Sequence, residues 1–458
     1  MKRVFLSGAV SALLLGCAGA PPDVETDPPE VEDAADAVVM PDPTAPFETS
    51  AVATDDEVAA LVASTNAAAV AVYKAASAEP GNAIVSPISV AAAFALLQEG
   101  AVGNTADELS RTLGFDGVDA ERLPDAMGSL LKRLETDVEG DPDTVYFDAS
   151  DPDTYGAPPN PAATFSIANA AWVHTDYSLK ADYARKVRDL LGARVKSVDF
   201  FARGGEDAAE RINAWASAAT RERIPTIVEG KEVYKLALGL TNAVWFKAYW
   251  AVPFDPKATK AGDFTSVDRG AIPAMLMRNS DILLPYVESD GTMAVAMSYT
   301  NPDFRLVLVL PPENIGIRGF ESEMTAESLA ALLDGVDNAP RVPVDLLLPK
   351  AEIASGFDLI PPLKALGVRD VFEPYEADLS GLLNERSDLY VSVAKQKTFF
   401  NLDEASTEAA AVTFVGVRPV SLPPPPKIFH ADRPFMVVLE HVPTEAILFM
   451  GRIEEVTE

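Results

Sequence analysis

Residues 397–426 read KTFFNLDEASTEAAAVTFVGVRPVSLPPPP, and two kinds of chain meet inside them. The first residues close an alternating, apolar-rich run that starts at Leu389 and carries the period of a β-strand through Leu402. Beyond it the side chains become small. Successive residues of a strand point to opposite faces, so residues 407–418 laid out as a strand place Thr407, Ala409, Ala411, Thr413, Val415 and Val417 on one face. All six are small or apolar. The other face holds Glu408 and Arg418, which require water, with Ala410, Val412, Phe414 and Gly416 between them. The segment is therefore patterned as a strand able to slot into the middle of a sheet. A plain flexible linker is the alternative, but linkers favour Gly, Ser and Pro over β-branched alternation.

Outward from this segment the chain mixes both kinds of element. Alanine-rich helical sequence runs from Asp55 to Ala78, where the turn EPGN stops it. Apolar residues at i, i+3 and i+4 predict short helices over Thr105–Leu113, Leu123–Leu134, Ala181–Leu191, Ala208–Ala219 and Ser328–Leu333. Strands are predicted over Phe165–His174, Ala237–Phe246, Phe304–Leu310, Leu389–Leu402, Phe435–Leu439 and Ala446–Ile453. The two kinds interleave without the strict alternation of a doubly wound sheet, which gives an α+β fold. Residues 138–163, dense in Asp-Pro, Pro-Pro, Gly and Asn, are expected to be a surface-loop insertion.

The 458 residues, 48% of them hydrophobic, can bury a large core. A formal net charge of −32 leaves no basic surface to neutralise phosphates and argues against nucleic-acid binding. At the start, Lys2 and Arg3 precede the apolar run Val4–Leu15 of a secretory signal over residues 1–16. Leu14, Leu15 and Gly16 lead into Cys17, the only cysteine, as in a bacterial lipobox. A single cysteine excludes disulfides and cysteine-based metal sites, and its placement predicts lipidation of Cys17. Residues 17–54, acidic and rich in Pro with almost no aromatics, are expected to be a disordered tether. The mature protein is thus expected to be exported and lipid-anchored to a bacterial membrane (the outer membrane, at its periplasmic or surface face), or extracellular.

Equipment for catalysis is missing from the sequence. His174, His430 and His441 stand at no metal-ligand spacing and read as structural. There is no G-x-S-x-G elbow, P-loop, H-E-x-x-H or dinucleotide fingerprint. The chain is expected to be no enzyme and to need no cofactor or metal.

At the C-terminal segment the chain resembles the serpins. KTFFNLDEASTEAAAVT is similar to their strand and hinge motif, FHADRPF to the motif downstream of the reactive loop, and AILFMGRI to the final strand. NAIVSPISVAAAFALLQEGAVGNTADEL resembles the early helix signature, ANAAWV a central strand, INAWASAATRERI the helix over the main sheet, and TNAVWFKAYW the strand that parts from its neighbour. LPKAEI, LKALGVRDVF and ADLSGL are similar too, so the resemblance runs in family order from about residue 55 to 453.

That resemblance implies the serpin fold over residues 55–458: a large central, mostly antiparallel β-sheet with smaller sheets, about eight to nine helices and an exposed reactive-centre loop within residues 404–428. It implies a suicide inhibitor of serine proteases, in which the cleaved loop inserts into the sheet while the target remains acylated. The protein would act as a monomer with the protease as its covalent partner. The hinge falls on Glu404, Ser406, Thr407, Glu408, Ala409, Ala410, Ala411, Val412 and Thr413, with none of the proline or charge that usually marks its non-inhibitory members in the inward positions. Ser406 replaces the usual Gly, which stiffens a pivot modestly. Ser86, Ser89, Asn242 and Gln396 match the sheet-opening region, where many animal members carry a His in place of Gln396, and Ala248 replaces a common Gly. Counting the usual spacing forward from Thr407 and back from Phe429 places the reactive bond at Val420–Ser421. A medium-small, β-branched Val420 suits the shallow pocket of elastase-like or subtilisin-like proteases. Arg418 with a trypsin-like target is the alternative, disfavoured because Pro419 would follow the cut bond. A non-inhibitory binding or chaperone lipoprotein of the same fold is the other functional reading.

Overall fold

A capping box sets where the folded body's first helix begins: the Glu57 N–H donates to Thr54 Oγ1 at 3.2 Å and the Thr54 N–H donates back to Glu57 Oε2 at 2.8 Å. The computed structural model describes residues 48–135, 163–192, 194–384, 389–404 and 425–456. Among these the α-helices are α1 (Asp55–Ala76), α2 (Pro87–Gln98), α3 (Asn104–Leu113), α4 (Leu123–Leu134), α5 (Ala181–Asp189), α6 (Glu206–Ala219), α7 (Gly230–Val233), α8 (Gly316–Glu323), α9 (Ala326–Asp337) and α10 (Ile360–Leu366). The strands are β1 (Ala83–Val85), β2 (Ala163–His174), β3 (Arg194–Val198), β4 (Leu238–Ala248), β5 (Lys260–Ser266), β6 (Gly270–Ser289) and β7 (Thr292–Ser298). They continue as β8 (Phe304–Leu310), β9 (Arg341–Pro349), β10 (Ala351–Asp358), β11 (Val391–Leu402), β12 (Lys427–His430), β13 (Phe435–His441) and β14 (Ala446–Ile453).

Two sheets result. One has five strands in the order β10-β11-β4-β2-β3; the other has nine, in the order β1-β14-β13-β8-β7-β6-β9-β12 with β5 on β6. The twenty-residue β6 serves both halves of the larger sheet, and an irregularity between Asn279 and Ile282 lets it change direction. Between the sheets lies α2, all of whose residues but Gln98 are buried. A helix buried on every side needs no polar face, and its Ala-rich sequence lets it approach β2, β4 and β14 closely. Aromatic rings join the layers: Phe165 on β2 meets Phe449 on β14 edge-on at 6.1 Å, and Phe246 on β4 lies 5.4 Å from Phe304 on β8. Each such ring contributes about 1.5–3 kcal/mol by burial alone.

Four sequence expectations change. The five-stranded sheet is mixed, not mostly antiparallel: β10/β11 and β4/β2 are antiparallel, whereas β11/β4 and β2/β3 are parallel. The β2-α5-β3 unit is a helical crossover, and such a crossover returns the chain parallel. The described residues hold ten α-helices where about eight to nine were expected, the extra ones including the single-turn α7. The body also begins before residue 55. Ser50 N donates to the Asp189 carbonyl at 2.7 Å, Val52 N to Asp125 Oδ1 at 2.9 Å and Ala53 N to Ser129 Oγ at 3.0 Å, so residues 48–54, placed in the tether by composition, dock on α4 and α5. Backbone hydrogen bonding to distant residues leaves little trace in local composition. Last, Ala163 already belongs to β2 and is buried; the rest of the 138–163 insertion lies outside the described residues, as do the signal segment and Cys17.

Candidate functional site

Strand β11 ends at Leu402, a few residues before the segment singled out by its small inward face, and takes part in the one central pairing that is parallel. Strand β11 runs alongside β4 with Gln396 opposite Asn242, Thr398 opposite Val244 and Phe399 opposite Trp245. In-register side chains of neighbouring strands share a face. Gln396, Asn242 and Asn169 on β2 therefore form one polar row across three strands, on the face that meets α2.

That row is buried and bonded. Gln396 Nε2 donates to Asn242 Oδ1 at 2.8 Å, across the seam, and to the Ser86 carbonyl at 3.0 Å; its Oε1 accepts from Ser86 N at 3.1 Å. Asn242 Nδ2 donates to the Ser89 carbonyl at 3.2 Å and also contacts Ser89 Oγ and Asn169 Oδ1. Ser86 begins α2 without capping it, because its hydroxyl turns to the Leu448 carbonyl at 2.6 Å. All four residues that the resemblance implied, Ser86, Ser89, Asn242 and Gln396, lie in this one cluster. Asn169 belongs with them and was not singled out, although an Asn inside the apolar ANAAWV was a visible signal. A satisfied polar network in a low-dielectric interior specifies one strand register, since an unpaired member would cost about 1–3 kcal/mol.

The bonds divide unequally about the seam. Gln396 and Thr398, whose Oγ1 donates to the Ile84 carbonyl at 2.6 Å, fasten β11 to β1 and the start of α2; Ser355 Oγ on β10 accepts from Ile84 N at 3.0 Å. On the other side Asn242 fastens β4 to Ser89. On the opposite face the segment after α6 touches both strands. The Arg221 guanidinium lies 5.1 Å from the Trp245 ring of β4, and that of Arg223 lies 5.9 Å from the Phe399 ring of β11. Lys395 Nζ pairs with Glu232 Oε1 at 3.1 Å, and Lys397 Nζ donates to the Thr226 carbonyl.

At the exit of β11 the chain is pinned. Glu404 Oε2 accepts from Lys350 Nζ at 2.7 Å, the Phe254 N–H donates to the Glu404 carbonyl at 2.7 Å, and Trp250 Nε1 donates to the Asp403 carbonyl at 3.0 Å. Burial disfavours the Glu404 carboxylate, but the Lys350 and backbone bonds outweigh it and hold its pKa below the usual value. The chain enters again at Pro425 and forms β12, parallel to β9, with Phe429 fully buried. The hinge residues Ser406 to Thr413, the reactive-bond residues Val420 and Ser421, and the alternative Arg418 lie outside the described residues. No group of three or more His, Cys, Asp or Glu side chains is placed to hold a metal among the described residues.

With this geometry in hand, the comparisons with known proteins agree on one family. A family model described as "Serpin (serine protease inhibitor)" matches residues 63–456. The leukocyte elastase inhibitor of Equus caballus is 30% identical over 378 residues, covering 81% of this chain and 92% of that protein. Antithrombin-III of Homo sapiens is 29% identical over 374 residues, covering 81% of this chain and 76% of that protein. The crystal structure of tengpin, a thermophilic serpin in the native state, superposes with a TM-score of 0.76 at 23% identity, covering 89% of this chain and 97% of that one.

Proposed function

The chain belongs to the serpin family, among whose members are inhibitors of serine proteases, and from that premise we propose that it inhibits by loop insertion, with Val420–Ser421 as bait for an elastase-like or subtilisin-like protease. One observation carries this reading: the chain leaves β11 beside a parallel seam. A segment that turns back at Glu404 runs antiparallel to β11 and, since β4 is parallel to β11, antiparallel to β4 as well. Opening the seam would replace one parallel pairing by two antiparallel ones. The inward side chains of that segment, Thr407 to Val417 in steps of two, are small enough to enter.

The steps balance as an interrupted proteolysis. The protease serine attacks the Val420 carbonyl, the bond to Ser421 breaks, and the new amino terminus takes the proton. Insertion then competes with water for the acyl-enzyme. If about 12 residues enter, the protease is carried roughly 40 Å, and its catalytic groups lose their alignment before deacylation. The chain contributes no catalytic group of its own. It acts as a monomer and holds its target covalently.

Mixing the protein with an elastase should yield an adduct that survives denaturation and a released peptide beginning at Ser421. A peptide beginning at Pro419 would assign the bait to Arg418 instead. Clean cleavage without adduct, by elastase-like and subtilisin-like enzymes alike, would remove inhibition and leave the binding or chaperone reading.

We further propose that Cys17 carries lipid and anchors the protein to a bacterial membrane, on the evidence of the lipobox at residues 14–17. The net charge of −32 gives no electrostatic hold on anionic lipid. Cys17→Ser should therefore move the protein from the membrane fraction to the soluble one; an unchanged distribution excludes the anchor.

A further inference from the structure

The sheet that receives the chain after the reactive loop carries an apolar patch on its outer face. Strand β12 pairs with β9, placing Ile428 opposite Asp345 and His430 opposite Leu347, while β6 places Leu283 opposite Pro343 on the other side of β9. Residues 343, 345 and 347 of β9 alternate with buried 344, 346 and 348, so they share the outward face with their register partners. Leu283 and Ile428 are 57% and 60% exposed, with Pro343 and Leu347 half-buried between and beside them.

The charges within the patch are already spent on one another. Asp345 takes both Arg278 bonds, at 2.9 and 2.6 Å, and sits 3.3 Å from His430 Nε2. Covering them requires no new counter-charge. Beside the half-exposed Arg278, Leu283 and Ile428 leave hydrocarbon uncovered, on a chain of formal net charge −32.

The position of the patch identifies what covers it. Lys427, the first residue of β12, is opposite Val344, so Pro343 and Leu283 lie just beyond the end of β12 from which the chain departs toward the reactive bond. Only five residues lie between Ser421 and Lys427, a reach of roughly 20 Å at most over the six steps. A protease domain of some 200 residues has a radius of gyration of about 16 Å. A protease seated on the 420–421 bond therefore overhangs this face. We infer that Leu283, Pro343, Leu347 and Ile428 form a second contact surface for the protease engaged by the loop, one that selects targets with a complementary apolar rim. The inference rests on the inhibitory reading.

Leu283→Ser combined with Ile428→Ser tests it. Both side chains are more than half exposed, so thermal unfolding should be unchanged; either single variant serves where the pair misfolds. The second-order rate of adduct formation with an elastase-like protease should fall at least about fivefold, as for loss of a central contact. The fraction of encounters ending in adduct should stay constant, since insertion does not involve this face. Equal rates, with adduct formed by both proteins, overturn the contact surface and leave the inhibitory reading standing. Failure of the unaltered protein to form any adduct overturns both.

Discussion

Thr407→Arg should be cleaved at the reactive bond yet trap almost no protease. If the loop enters the seam, position 407 points inward and is buried early, and an arginine there loses its water without gaining a partner. An unpaired buried charge costs several kcal/mol. At about 1.36 kcal/mol per factor of ten, even 3 kcal/mol on the barrier slows insertion about a hundredfold, whereas hydrolysis of the acyl-enzyme is untouched. The branch ratio then shifts from trapping to turnover. Ala409→Arg, two residues on along the same face, should do the same, and Glu408→Gln on the watery face should change little. The measurement is the ratio of denaturation-resistant adduct to cleaved inhibitor. Full trapping by both arginine variants would show that residues 407 and 409 do not face inward.

Much of the framework was legible because it depends on local pattern. The alternation over Leu389–Leu402 is β11, and the apolar runs ending the chain are β13 and β14. Helix α3 shows its buried stripe as Thr105, Leu109 and Leu113. Helix α2 carries no such stripe, since it is buried all round, and it came only through the family signature. Strand β6 was missed because the irregularity at Asn279–Ile282 breaks its alternation, and β9 and β10 because a single residue, Lys350, separates them.

The site divides the same way. Ser86, Ser89, Asn242 and Gln396 came through the family resemblance, but that Asn169 completes their row depends on the register of β2 against β4. Lys350 as the partner of Glu404, 54 residues away, and the contacts of Arg221 and Arg223 on either side of the seam are products of tertiary placement. Nothing in local sequence specifies them. Gln396 in place of the His common among animal members keeps the bond across the seam without a titrating group near neutral pH.

Cleaving the reactive loop should raise the melting temperature instead of lowering it. In the described state β11 and β4 pair with each other; insertion puts a strand of about 12 residues between them. Its backbone groups bond to both neighbours, for a net gain of about one ladder. At about 1 kcal/mol per hydrogen bond, that is on the order of 10 kcal/mol, with burial of Thr407, Ala409, Ala411 and Thr413 offsetting part of the ordering entropy. With an unfolding entropy of about 2.1 cal/mol/K per residue over roughly 400 residues, such a gain shifts the melting temperature by at least about 10 °C. The intact state is then less stable than the cleaved one and persists because the seam resists opening, through Gln396–Asn242 on one face and the Arg221–Glu232 segment on the other. An ordinary nick in a surface loop gives the unfolded chain more freedom and lowers or preserves stability. A melting temperature unchanged by complete cleavage between residues 405 and 424 would mean that the seam stays closed, and the mechanism proposed here would fall with it.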